Sequence, residues 1–186
     1  MKKLTRVILI LLALYIVFLG CMFSIKKMYP LEYYNIVAAN SEKYEVDPLI
    51  IMSIIRAESG FDEKATSTKS ARGLMQLRED TATWCADSLE IDKFNVQNLY
   101  NPDTNILLGT WYFHALMDEY NGDIKLCIAA YNAGTGNVKK WLKNPQYSTD
   151  GITLTKIPFP ETEKYINKVM NNYKIYNKLY KTEDKK

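Results

Sequence analysis

Several things are scarce in this 186-residue chain, and each scarcity excludes a class of function. There is one histidine, His114, and there are three cysteines, Cys21, Cys85 and Cys127, with no CxxC spacing among them. Protein metal centres gather several Cys and His ligands at short, fixed spacings, so neither a structural zinc site nor a His-based centre is expected, and no cofactor is implied. Cys85 and Cys127 could pair in an oxidising compartment or stay as buried thiols, and the spacing does not choose between them. Charge imbalance is also small: 24 Lys and Arg against 21 Asp and Glu leave +3. With no Arg-rich stripe and no aromatic–basic motif, nucleic acid is not an expected partner. No segment alternates apolar and polar residues with period two, so strands are not expected. His114, lacking a second His or Cys nearby, is assigned a packing or surface role.

What the chain has is apolar mass and tyrosine. Hydrophobic residues make up 47% and aromatics 12%, with 14 Tyr. Amphipathic tyrosines suit stacking on sugars or bases, although they also fill helix interfaces. Val7 to Ile25 is an uncharged run long enough to cross a bilayer as a helix. Lys2, Lys3 and Arg6 precede it and Lys26 and Lys27 follow, which leans slightly towards a cytoplasmic N-terminus. The run reads as an uncleaved signal-anchor, a cleaved signal peptide without an Ala-x-Ala-like site, or a lipoprotein signal ending at Phe18-Leu19-Gly20-Cys21. Length favours the anchor, and all three readings place the remainder outside the cytoplasm.

Beyond the run, helix punctuation recurs. Residues 29–46 read as a juxtamembrane linker passing into a helix. Asp47-Pro48 is a cap followed by a first-turn proline, and Gly60 is placed to end that helix. Asp62 to Arg72 is a polar loop. Gly73-Leu74-Met75-Gln76 is expected to open a helix from Leu74 to about Leu89, with a surface loop over Ile91 to Tyr100. Asn101-Pro102 repeats the cap-and-proline start, and the helix it opens ends at Asn121-Gly122. Gly109 within that helix marks a close helix–helix approach. Asp123 caps the next helix, which breaks at Gly134. A short helix holds Trp141, Asn144 to Thr155 is a loop, and Pro160 leads into a long helix to about Tyr180. The sum is an all-α domain of roughly seven helices over 47–180, preceded by the membrane-spanning segment over 1–28 and followed by a flexible tail over 181–186.

One residue does not fit its surroundings. Ile51, Ile54, Ile55 and Glu58 fall at i, i+3, i+4 and i+7, so a carboxylate ends an isoleucine stripe. Desolvation raises the pKa of such a group, and the negative end of the helix dipole acts in the same direction. The carboxyl is thereby kept protonated near neutral pH, as a general acid requires. The plain alternatives are a rim Glu turned to water, or one paired with Arg56 or Arg72.

Glu58-Ser59, Gly73-Leu74-Met75-Gln76 and Ala130-Tyr131-Asn132-Ala133-Gly134, followed by Pro158-Phe159-Pro160-Glu161-Thr162, together resemble the catalytic domain of lytic transglycosylases of the soluble (SLT) type. The resemblance covers about Asp47 to Met170. It implies a lysozyme-like α fold that cleaves the β-1,4 bond between N-acetylmuramic acid and N-acetylglucosamine without water, leaving a 1,6-anhydromuramoyl end. By position Glu58 matches the single catalytic acid and base. Ser67, Met75 and Gln76 match substrate contacts, Tyr131 and Asn132 match the cleft lining, and Glu161 matches a motif position at the head of the last helix. Tyr131 and Ser67 are expected to hold Glu58 and the N-acetyl group by hydrogen bonds. Arg72, Arg78-Glu79 and Glu163 depart from the usual pattern. The implied partners are peptidoglycan glycan strands and a membrane, with the catalytic part facing the cell wall. A goose-type-lysozyme-like hydrolase, for which Asp62 and Glu63 are the acids nearest Glu58 in sequence, and a wall-binding or secretion-apparatus module are the competing readings.

Overall fold

Residues 2–181 of the chain are described by a computed structural model; the expected tail lies, from residue 182 onward, outside the described residues. The chain divides into two units, Met1–Leu31 and Glu32–Lys186. The first is a helix, α1 (Lys2–Met28), long and apolar enough to cross a membrane, with none of its apolar stretch buried within the protein. A helix satisfies its own backbone groups, so such a segment needs only apolar surroundings.

The second unit contains seven α-helices and no strand among the described residues. These are α2 (Tyr34–Lys43), α3 (Pro48–Glu58), α4 (Glu79–Ser88), α5 (Pro102–Glu119), α6 (Ile124–Ala133), α7 (Thr135–Leu142) and α8 (Pro160–Tyr180). At the centre is α3. Asp47 caps it by accepting from the Leu49 amide at 2.8 Å, and Pro48 takes the first-turn position. Leu49 through Ile55 and Ala57 are all buried, as expected of a helix apolar nearly all round. It stops where Gly60, at φ 60°, donates its amide to the Ile55 carbonyl.

The longest partner of α3 is α8, whose buried side chains Thr162, Ile166, Val169, Asn172, Tyr176 and Tyr180 form one stripe. Polar bonds fix the register along that contact. Tyr173 donates to Asp47, Asn172 to the Ser53 carbonyl, Lys168 to the Ala57 carbonyl and Tyr165 to Glu58. The descending numbers on α8 against rising ones on α3 make the two helices antiparallel. Helix α2 covers α3 and α5 from another side, and α6 completes the core against α5 and α8.

Three expectations need correction. The helix over 74–89 begins only at Glu79. Residues 72–77 form a tight turn instead: Arg72 and Leu77 exchange amide-to-carbonyl bonds at 2.9 and 3.1 Å, and Gly73 and Gln76 sit at φ 74° and 49°. The apolar Leu74, Met75 and Leu77 are buried by that turn rather than by a helical face. The turn is pinned by Asn105 of α5, which is fully buried. Its Oδ1 accepts from the Met75 amide, while its Nδ2 donates to the Arg72 and Leu99 carbonyls. Second, the loop expected over 91–100 contains a 3-10 helix, Val96–Tyr100, closed by a reciprocal Asn95–Asn98 capping box that buries Leu99. Third, Gly109 does make room for a close approach, but of the Met75 side chain from the turn, not of another helix: a Cβ there would lie 2.3 Å from Met75 Sδ.

Candidate active site

Glu58 is the last residue of α3, and the polar loop 62–72, the turn 72–77, the end of α6 and the head of α8 meet around it. Together they enclose a cavity of about 330 Å³ lined by Glu58, Ser67, Gln76, Tyr112, Tyr131 and Asn132, with Lys69, Arg78, Asp80 and Glu161 at its edge. The carboxylate is turned inward. Its Oε1 accepts from the Tyr165 hydroxyl at 2.6 Å. Arg72, one of the partners considered for it, faces Glu79 instead, at 3.8 Å.

Burial pushes the Glu58 carboxyl up to about 7, against the lowering effects of the Tyr165 hydroxyl and the Lys168 ammonium. Desolvation outweighs both because one hydrogen bond and one cation at the helix end replace a full hydration shell. A carboxyl with that value exists in both protonation states near neutral pH, so it can give a proton and later take one. The Tyr131 and Tyr165 hydroxyls are pushed well above their ordinary range, first by burial and then by Glu58, so both remain neutral donors.

The other expected residues hold the cavity's walls by distinct bonds. Tyr131 donates to the Met75 carbonyl at 2.8 Å, and its ring packs on Tyr112 with centroids 5.3 Å apart. It therefore braces the turn under the cavity, and the bond to Glu58 expected from Tyr131 is made by Tyr165. Ser67 Oγ accepts from the Ala71 and Lys69 amides, shaping the loop rim. Gln76 Nε2 donates to the Ala65 and Gly73 carbonyls, tying loop to turn. Asn132 Oδ1 accepts from the Thr162 hydroxyl, fastening α6 to α8. Met75 is not in the lining: its side chain is fully buried, and it acts through its backbone. Glu161 is exposed at the rim, 3.7 Å from Lys69. Glu163 faces a different hollow, beside Asp123 and Lys125.

Sequence reasoning missed Tyr165 and Lys168, and named Thr162 only within the Pro-Phe-Pro-Glu-Thr segment, without its bond to Asn132. Tyr165 shares a helical face with Thr162 and Val169, at i+3 and i−4, so a phenol on a buried stripe was the available signal. Its partner could not be named without the antiparallel pairing of α3 and α8. The acids nearest Glu58 in sequence are elsewhere: Asp62 caps the Lys64 amide, and Glu63 faces Lys64 and the Tyr33 hydroxyl. Among the described residues no cluster of His, Cys, Asp and Glu could hold a metal ion. Cys85 and Cys127 are separate buried thiols, each pushed up to about 12 by burial. His114 packs beside Tyr44 and lies 3.4 Å from Asp118 on its own helix.

Comparison with known proteins gives the site a context. The family model "Transglycosylase SLT domain" matches residues 35–152. The chain is 32% identical over 148 residues to the soluble lytic murein transglycosylase of Escherichia coli, covering 78% of this chain and 23% of that protein. It is 32% identical over 170 residues to membrane-bound lytic murein transglycosylase C of Serratia proteamaculans, covering 79% of this chain and 47% of that protein. Among solved structures, an inactive mutant of the lytic transglycosylase Slt from Pseudomonas aeruginosa superposes with a TM-score of 0.71 at 32% identity, over 81% of this chain and 24% of that one. The chain thus spans about a quarter of the length of the soluble relatives it matches. The shared fold bears out the lysozyme-like helical architecture implied by the motifs.

Proposed function

The chain belongs to the transglycosylase SLT family, and from that premise we propose that it is a peptidoglycan lytic transglycosylase, cleaving the β-1,4 bond between N-acetylmuramic acid and N-acetylglucosamine to leave a 1,6-anhydromuramoyl end. One observation carries the reading: a single inward-facing carboxyl, Glu58, with its pKa raised to about 7 by burial, at the base of a groove-like cavity. Glu58 in its acid form protonates the glycosidic oxygen as the bond to the muramoyl C1 breaks, and the N-acetylglucosamine leaves with a free 4-hydroxyl. The Glu58 carboxylate then takes the proton of the muramoyl C6 hydroxyl as that oxygen attacks C1. The acid is regenerated, no water is consumed, and one group performs both transfers. Tyr165 holds the carboxylate in place between the two steps.

Ordinary glycosidases flank the bond with two carboxylates. Here the remaining acids of the cavity, Asp80 and Glu161, are exposed and face Arg78 and Lys69 at 3.5 and 3.7 Å. That supports the sugar's own hydroxyl as nucleophile over an activated water. Ser67, Gln76 and Asn132 present polar groups to the sugars, and Tyr131 sets the cavity floor. Residues 47–180 form the catalytic domain in this reading. Residues 1–28 anchor it in the cytoplasmic membrane, with 29–46 leading to a domain that faces the wall.

Mass spectrometry of purified wall digested by the full chain tests the proposal. Anhydro ends support it, and reducing ends make the protein a hydrolase of the same fold. Glu58→Gln removes the transferable proton with little change in shape and is expected to abolish cleavage while the fold persists. Cleavage surviving that substitution would remove Glu58 from the chemistry.

A further inference from the structure

A second cavity, of about 360 Å³, abuts the first, and Asp80, Thr81 and Tyr112 line both. Its other walls include Trp84, Glu119 and Thr135. Trp84 stands on α4 with 48% of its surface exposed, whereas Trp141 is 5% exposed. Burial in the core therefore does not account for Trp84. Its ring is held, however: it packs on Trp111 with centroids 4.9 Å apart and meets Tyr112 edge-on at 6.1 Å and 87°. Tyr112 packs in turn on Tyr131, the residue that braces the floor beneath Glu58. A run of rings thus leads from the Glu58 cavity to an exposed indole.

An immobilised, half-exposed indole ringed by carboxylates and hydroxyls has the chemistry that receives a pyranose. The C–H face of the sugar covers the apolar ring, and its equatorial hydroxyls donate to groups such as Asp80, Glu119 and Thr81. The rigidity of the ring reduces the entropy lost on binding. Both acids of this second cavity are paired with neighbouring cations, Asp80 with Arg78 at 3.5 Å and Glu119 with Lys139 at 2.5 Å, which holds their oxygens in place as acceptors for sugar hydroxyls.

We propose that the glycan groove continues past Tyr112 into this second cavity, where Trp84 stacks on a sugar of the strand beyond those held at Glu58. The inference rests on the transglycosylase reading and adds a strand-length preference to it. Binding is measured without turnover in the full chain carrying Glu58→Gln, using fluorescently end-labelled glycan strands of graded length. Adding Trp84→Ala is expected to weaken binding of long strands about tenfold. The loss grows with the number of sugars and is smallest for a disaccharide, and Trp84→Phe, which keeps a stacking face, recovers most of it. Equal affinity with and without Trp84 at every length overturns the inference, as does a loss of the same size for a disaccharide and a long strand. A wild-type chain that cleaves no glycan at all overturns the transglycosylase reading and this inference with it. Cleavage with Trp84-independent binding overturns the inference alone.

Discussion

Glu58→Gln has a second consequence besides lost activity: it should stabilise the protein progressively above about pH 4.5, with the full effect reached above about pH 7. The native carboxyl sits at about 7, against an ordinary value of 4.5, because ionising it in the cavity forfeits hydration that one tyrosine and one lysine do not replace. The folded state therefore holds this proton more tightly than the unfolded chain does. Below pH 4.5 the carboxyl is neutral in both states and costs nothing. Between 4.5 and about 7 only the unfolded chain releases the proton, so wild-type stability falls as pH rises, and above 7 the loss is complete. Each tenfold change in acid dissociation is worth about 1.4 kcal/mol, so the full effect is about 3 kcal/mol. Glutamine is neutral throughout and its amide oxygen can still accept from Tyr165. Urea melts of both full-length proteins in mild detergent, from pH 4 to 8, should give coincident stabilities at pH 4. At pH 8 the variant should lead by about 3 kcal/mol, or about 6–12 °C in melting temperature. A difference that does not change with pH, or a variant less stable at pH 8, would refute the assignment of a raised pKa to burial of this residue.

Two further outcomes follow from the bonds around the site. Tyr165→Phe removes the donor that favours ionised Glu58, so glycan cleavage should fall about tenfold or more and the alkaline limb of its pH profile should move to higher pH; an unmoved limb would disconnect Tyr165 from the acid. Gly73→Ala places a Cβ 2.0 Å from the Leu99 carbonyl and 2.3 Å from Asn105 Nδ2, at a φ of 74°, so it should cost more than about 3 kcal/mol in denaturant melts, and a loss below 1 kcal/mol would show that the turn relaxes freely.

Local sequence was enough for the helices whose ends are marked by side-chain chemistry. Asp47-Pro48, Asn101-Pro102 and Asp123 all cap as expected, because a short oxygen-bearing side chain beside an unpaired amide needs no distant partner. It also determined that Glu58 ends an apolar face, since that follows from helical spacing alone. The other features depended on packing, because each is a bond between segments far apart in the chain. Residues 72–77 became a turn because Asn105, on α5, captures their backbone, and Gly109 makes space for Met75. Tyr165 reached Glu58, in the place expected for Tyr131, because α8 runs antiparallel to α3. Local spacing names the acid, but how readily it gives up its proton depends on which side chains and how little water surround it once the helices have packed.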